Sequence, residues 1–207
     1  MKIAVLGAAG RTGTAAVREA RRRGHDVVAV ARRTLADLPA GVESASADVT
    51  NAEAVEAALN NADAVISAVG IGSSRTDTQL FSEGTRATLA AMMATGARRL
   101  VVVSASPAGP REDHRGLQRR IILPILEWFY GATYRDMRRM ELVLADATID
   151  WVAVRPPRLL TKKPKGTYHL GLKPGQIGRD ITIPDLAAAL VDLAEKAQPT
   201  GAFYISN

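Results

Sequence analysis

This sequence predicts a doubly wound α/β domain with a parallel sheet, on three observations. Short, almost wholly apolar runs recur along the chain, and longer stretches with helical periodicity separate most of them. Apolar strands without polar alternation belong to a sheet covered on both faces. The first run turns at once into GAAGRTG, with glycines at 7, 10 and 13, and then into a helix. The 207 residues suffice for one domain with a sizeable core, and no repeat or linker divides them.

The elements follow in order. Residues 2–6 read as a buried strand, and residues 12–23 as a helix ended by Gly24. DVVAVA at 26–31 is a second strand, and residues 42–47 a short third. Residues 51–60 are helical, with Thr50 or Asn51 as N-cap and Glu53 in the first turn. AVISAV at 64–69 is a fourth strand, residues 79–95 a long helix ended by Gly96, and LVVVS at 100–104 a fifth strand. A loop at 105–115 precedes two helical segments, 118–129 and 134–145. DWVAVR at 150–155 is a sixth strand, residues 167–170 a short one, 185–197 a helix started by Pro184, and 202–205 the last strand.

Composition narrows the class. Apolar residues make up 47% and charged residues 23%, an ordinary globular balance. With no cysteine there is no disulfide, thiolate metal site or catalytic thiol, which fits a reducing cytosol, so a cytoplasmic location is expected. The opening apolar run is too short for a secretory signal, and no uncharged stretch reaches the ~18 residues of a membrane span. The net charge of +6 is scattered. Its one tight run, Arg21-Arg22-Arg23, ends a helix, where cations favour the negative dipole end. A solvated basic surface is therefore expected, with no nucleic-acid partner and no membrane partner. His25, His114 and His169 are too scattered for a metal site.

The glycine turn has a physical reading. A helix N-terminus presents unpaired N–H groups and partial positive charge, and so binds anions. Gly7 allows the tight turn, Gly10 lets the backbone approach a pyrophosphate, and Gly13 lets helix and strand pack closely. Arg11 and Thr12 complete the pyrophosphate site. The second strand ends in Arg32 and Arg33, with no acid to bond ribose hydroxyls. Paired arginines suit a 2′-phosphate, so NADP(H) is expected. Asp48 and Val49 lie where an adenine would rest, and Gly70 where the chain passes the cofactor ribose.

With these pieces in place the sequence resembles the atypical short-chain dehydrogenase/reductases, within them the NAD(P)H-binding group of the flavin and biliverdin reductases. GAAGRTG, VAVARR, ADV at 47–49, SEGTRATLAAM at 82–92, VVVSAS at 101–106, WVAVRPPRL at 151–159, GTYHLGL and IPDLAAALVDL carry the resemblance. It covers nearly the whole chain. It implies a Rossmann sheet, hydride transfer from a nicotinamide to a flat aromatic acceptor such as flavin or quinone, and Pro156 and Pro157 shaping the nicotinamide pocket. Residues 105–135 and 156–183 would be substrate-side elaborations.

Two departures bear on chemistry. No lysine stands four residues after a tyrosine, so the Tyr-x-x-x-Lys pair of ordinary members is absent. Tyr134 with Arg138 is the nearest mimic, though arginine is poorly suited to tune a tyrosine as a base. The group's work needs proximity more than acid–base chemistry. After the two prolines, where flavin reductase carries histidine, stands Arg158, able to bind an acidic acceptor but not to give up a proton. Ser104, with Ser106 as its rival, would orient the reacting end; no partner histidine makes it a nucleophile. Trp128, Phe129, Tyr130 and Tyr134 would wall the acceptor, or Trp128 and Phe129 belong to the core or a dimer contact. A monomer or homodimer is expected. The rival function is an NADP-binding redox sensor of the NmrA-like type, acting through a partner protein; an epimerase fits less well without the Tyr-Lys pair.

Overall fold

A computed structural model describes residues 1–72, 76–114 and 116–207. An eight-stranded sheet is ordered β3-β2-β1-β4-β5-β6-β10-β8. The strands are β1 (Lys2–Leu6), β2 (Asp26–Ala31), β3 (Val42–Ser46), β4 (Ala64–Ser67), β5 (Arg99–Val103), β6 (Asp150–Arg155), β8 (His169–Gly171) and β10 (Gly201–Ser206). All neighbours pair in parallel except β8, which runs antiparallel to β10. Two further strands, β7 (Arg158–Leu160) and β9 (Asp180–Thr182), pair in parallel away from the sheet. The order reverses beside β1, so the switch point lies between β1 and β4, where ligands of open α/β sheets bind.

Alternation along the strands builds two cores. Ile3, Val5, Ile66, Val101 and Val152 face helices α1 (Arg11–Arg22) and α5 (Ile183–Glu195). Ala4, Leu6, Val65, Leu100 and Val102 face α2 (Ala52–Ala58), α3 (Leu80–Thr95) and α4 (Leu123–Ala145). Each buried Val, Leu or Ile side chain among them contributes about 1.5–3 kcal/mol. Helix boundaries follow capping chemistry. Asn51 Oδ1 accepts from Ala54 N at 3.0 Å, which selects Asn51 over Thr50 as the α2 cap. Gly96 ends α3 in the left-handed region at φ 80°. Thr182 caps α5, and the Asp185 carboxylate beside it accepts from Lys165 N, Gly166 N and the Asn207 side chain.

Three expectations are corrected. The segments read as two helices are one, α4, entered through a π-helical turn at Gln118–Ile122. Tyr130 alone leaves helical geometry, at φ −130° and ψ 17°, so the gap expected between 129 and 134 is one residue deep. The strand expected at 167–170 begins at His169, because Asn207 Nδ2 takes the Thr167 carbonyl at 2.6 Å before β8 joins β10. β7 and β9 have no counterpart in the sequence reading. The expected loop at 105–115 contains 3-10 turns at Ser106–Ala108 and Arg111–Asp113, and its last residue, Arg115, lies outside the described residues.

Candidate functional site

The glycine turn sits at the C-terminal end of β1. Gly7 has φ 76°, and a Cβ there would stand 2.6 Å from the Ala68 carbonyl oxygen at the end of β4. A Cβ on Gly13 would collide with the Gly7 carbonyl and stand 2.9 Å from Ala8 Cα. Gly10 N donates to Gly7 O at 2.9 Å, closing the turn, and Gly10 becomes the N-cap of α1 with no side chain to cap it. Thr14 N makes the first helical bond, to Gly10 O at 2.8 Å, while the Thr14 hydroxyl donates to Ala8 O. No acidic residue lies in the first turn. The N–H groups of Arg11, Thr12 and Gly13 thus precede the helical ladder without a capping acceptor, and a pyrophosphate fits this cradle. A cavity of about 560 Å³ borders the glycine turn and α1, lined by Ala9, Arg11, Thr14, Arg18, Lys162 and Ile183.

Arg32 and Arg33 follow β2, both exposed. Asp48, exposed after β3, accepts from Thr50 N at 3.0 Å and the Thr50 hydroxyl at 2.8 Å. These bonds, with the nearby Arg32 charge, hold its carboxyl below the usual range. Val49 is buried under α3, where a Cβ on Gly84 would reach within 3.2 Å of it. Gly70 is exposed; a Cβ there would meet nothing within 4 Å, so the fold itself gives no reason for glycine.

Ser104 and Ser106 extend the register of β5 beyond its end: Ser104 N donates to Val154 O and Ser106 N to Pro156 O, each at 2.8 Å. These bonds bring Ser104 and Ser106 beside Pro156. Ser104 is only 3% exposed, and its hydroxyl donates to Glu141 Oε1 at 2.7 Å. The same carboxylate accepts from Arg155 Nε at 3.0 Å and Nη2 at 2.5 Å. Burial opposes the Arg155 charge, but its bonds to Glu141 outweigh that and raise its pKa. Arg155 in turn stacks over Tyr204, 5.1 Å from the ring centroid, and the Tyr204 hydroxyl donates to Asp113 at 3.0 Å. Sequence reasoning missed Glu141 and Arg155. The signal was present in charged residues on the inward faces of α4 and β6, where an isolated charge would be costly.

Tyr134 lies on α4 with its ring 6.3 Å from that of Tyr130. Burial, with a smaller contribution from Tyr130, pushes its hydroxyl up to about 12, so it stays protonated and is not available as a base. Arg138 does not reach it; its Nη2 donates to Pro107 O at 3.0 Å and Glu127 Oε1 at 2.9 Å. Arg158, on β7, is 74% exposed and stands 3.5 Å from Asp180 on β9. Pro157 is half-buried beside it. His114 is buried, edge-on to Tyr204 at 6.0 Å, with its Nε2 3.2 Å from Ser106 O; burial lowers its pKa. His169 is exposed on the edge strand, and His25 meets Glu195 at 2.7 Å. Among the described residues no cluster of His, Asp or Glu could hold a metal, and no helix is long and apolar enough to cross a membrane. Trp128 stacks edge-on against Phe129 at 4.5 Å yet is 79% exposed, so it is not core.

Burial also raises the hydroxyls of Tyr168 and Tyr204. Each of the three tyrosines has a folded pKa above its unfolded value near 10, so each stabilises the fold below pH ~10 and loses that contribution as pH rises toward 12. In an alkaline titration followed at 295 nm, their phenolate signal is expected only as the chain unfolds, and the urea midpoint should fall over that window. Full ionisation of all four tyrosines near pH 10 with native circular dichroism would contradict these burial assignments.

Comparison with known proteins agrees with this geometry. A family model described as NAD(P)H-binding matches residues 7–197. An uncharacterized protein of Mycobacterium tuberculosis is 30% identical over 155 residues, 75% of this chain but 14% of that protein, so the match spans about a seventh of its length. The structure of ChuY, an anaerobilin reductase from Escherichia coli O157:H7, superposes with a TM-score of 0.78 at 21% identity, covering 100% of this chain and 97% of that one. A Streptococcus pneumoniae protein provisionally named an NADH-flavin reductase gives 0.79 at 23%, covering 100% and 99%. At these identities the two structures establish the fold. The match across residues 7–197, and the uncapped glycine turn it includes, place this chain in the NAD(P)H-binding family.

Proposed function

We propose that the protein is an NADPH-dependent reductase that passes hydride to a flat aromatic acceptor such as flavin or quinone. The observation that carries this reading is the free α1 N-terminus at the switch point, with two exposed arginines and no acid ending β2. NADPH, when bound, supplies the hydride. The N–H groups of Arg11, Thr12 and Gly13 hold its pyrophosphate, Arg32 and Arg33 its 2′-phosphate, and the Asp48-Val49 turn borders its adenine. Gly70 passes its ribose. Pro156 and Pro157 shape the nicotinamide pocket. Ser104 orients the reacting end, which requires its hydroxyl to turn from Glu141. Arg158, exposed and weakly held, meets an acidic group on the acceptor, and Tyr134 donates a hydrogen bond. Hydride transfer needs the two rings held face to face more than it needs a titrating pair.

One observation favours a second reading, a non-catalytic NADP-binding redox sensor. Ser104 is engaged by Glu141 and Tyr134 is held protonated, so neither is poised as a base. NADPH oxidation with FMN as acceptor, run beside NADH, separates the readings. Turnover favouring NADPH is the expected result; tight binding without turnover on FMN or a quinone would favour the sensor. Arg32→Ala/Arg33→Ala should weaken NADPH binding about tenfold or more, and NADH binding little. Equal losses would overturn the NADP assignment.

A further inference from the structure

Ten large apolar side chains are exposed among the described residues, and six of them, Leu117, Ile121, Ile122, Ile125, Trp128 and Tyr130, fall in fourteen consecutive positions. These positions cover the π-helical turn and the first turns of α4. Leu117, Ile121, Ile125 and Trp128 are spaced 4, 4 and 3 residues apart and so share one helical face. The opposite face is attached to the domain: Leu123 is buried, and Glu127 is tied to Arg138. Scattered exposed leucines need no explanation, but a continuous stripe of this kind marks an interaction surface.

The charges around the stripe identify what it meets. Arg119 and Arg120 lie between Leu117 and Ile121 in sequence, are exposed, and make no ion pair among the described residues. Two nearby carboxylates are engaged inward, Glu127 with Arg138 and Asp113 with the Tyr204 hydroxyl; Glu112 is exposed and lines one cavity with Arg119 and Arg120 without pairing with either, which leaves an excess of positive charge. A two-fold pairing of this face would bring the unpaired guanidinium groups of both copies into one interface. An anionic surface would neutralise them. Isoleucine and leucine for depth, tryptophan and tyrosine for the headgroup boundary, and arginine for lipid phosphate together make an interfacial helix.

We propose that the face formed by residues 117–130 docks the protein onto the surface of an anionic lipid bilayer, with Ile121 and Ile125 inserted below the headgroups, Trp128 at the headgroup boundary, and Arg119 and Arg120 against the phosphates. This contact needs no spanning segment, so the absence of an uncharged run of membrane length does not bear on it. It stands apart from the reductase reading, because no cofactor or acceptor takes part.

The test uses the full chain and vesicles of phosphatidylcholine alone or mixed with phosphatidylglycerol. Co-sedimentation should show binding to the anionic vesicles, falling as salt rises. Trp128 fluorescence should shift to the blue and be quenched by brominated acyl chains. Arg119→Ala/Arg120→Ala should reduce partitioning about 25-fold, about fivefold for each charge. Ile121→Glu/Ile125→Glu should reduce it about 100-fold while leaving NADPH affinity and the melting temperature intact, which shows the fold preserved. Retained partitioning in the glutamate variant, or sedimentation without quenching of Trp128, would overturn the proposal in favour of a diffuse basic surface. A stable dimer at micromolar concentration that ignores vesicles would assign the face to a second copy instead. Because NADPH oxidation is not read, failure here leaves the reductase reading untouched, and the reverse holds.

Discussion

Gly13→Ala is expected to lower NADPH affinity by more than about 100-fold and to destabilise the fold by about 2–3 kcal/mol. The added Cβ would overlap the Gly7 carbonyl oxygen and stand 2.9 Å from Ala8 Cα. Both obstacles are backbone, and Gly7 is itself fixed against the Ala68 carbonyl at 2.6 Å from where its own Cβ would be. The strain can be relieved only by moving α1 off the turn, which withdraws the N–H groups of Arg11, Thr12 and Gly13 from the anion they would hold. Gly70→Ala is the matched control, since its Cβ meets nothing within 4 Å. It should leave the urea midpoint unchanged. If it nonetheless weakens NADPH binding, the space beside Gly70 belongs to the cofactor. If Gly13→Ala binds NADPH normally in isothermal titration, the glycine turn is structural and the proposed cofactor site is wrong.

How much of this was readable beforehand depends on where the determining interaction lies along the chain. Six of the seven parallel strands of the central sheet announced themselves because each is largely apolar on both faces, and that composition is local; β3, VESAS, is the polar exception at the edge. The glycine turn was readable for the same reason: strand, turn and helix N-terminus are contiguous. α4 was split in two across residues 130–133, a stretch that contains Gly131, a poor helix former. Its single irregular residue, Tyr130, is absorbed within a helix whose buried face runs from Leu123 through Met140 to Leu144. β7 and β9 were invisible because three residues pair with three across more than twenty positions in a Pro- and Lys-rich stretch.

The site was readable in its positions more than in its partners. Sequence placed Ser104 at the end of β5, and the fold brings it beside Pro156 through two backbone bonds. Nothing local could show that its hydroxyl is engaged by Glu141, or that Glu141 is already held by Arg155, because those three residues come from three elements. Trp128 and Phe129 pointed to a wall or a core from their type alone, whereas exposure of Trp128 is a property of how α4 docks.

Asp136→Ala should destabilise the fold by about 3 kcal/mol. Asp136 on α4 is fully buried, and its two oxygens accept from Phe81 N at 2.8 Å and the Ser82 hydroxyl at 2.5 Å. Gln79, the N-cap of α3, supplies no side-chain bond, so a carboxylate from another helix takes the capping role. Truncation would leave a buried N–H and a buried hydroxyl without their carboxylate acceptor, at about 1–3 kcal/mol each, and remove a negative charge from the positive end of the α3 dipole. For a chain of this length 3 kcal/mol corresponds to a fall in melting temperature of roughly 6–12 °C. The effect should reach the cofactor as well. Gly84, one turn into α3, packs against Val49, and the Asp48-Val49 turn borders the proposed adenine position. NADPH affinity is therefore expected to fall, while Glu83→Ala, exposed on the same turn of α3, changes neither quantity by much. Urea unfolding with an unchanged m-value gives the stability term, and titration with NADPH gives the affinity. A loss below 1 kcal/mol would mean that water enters and satisfies the α3 N-terminus once the carboxylate is gone. Lost stability with undiminished NADPH affinity would mean that the packing of Gly84 on Val49 does not position the adenine turn.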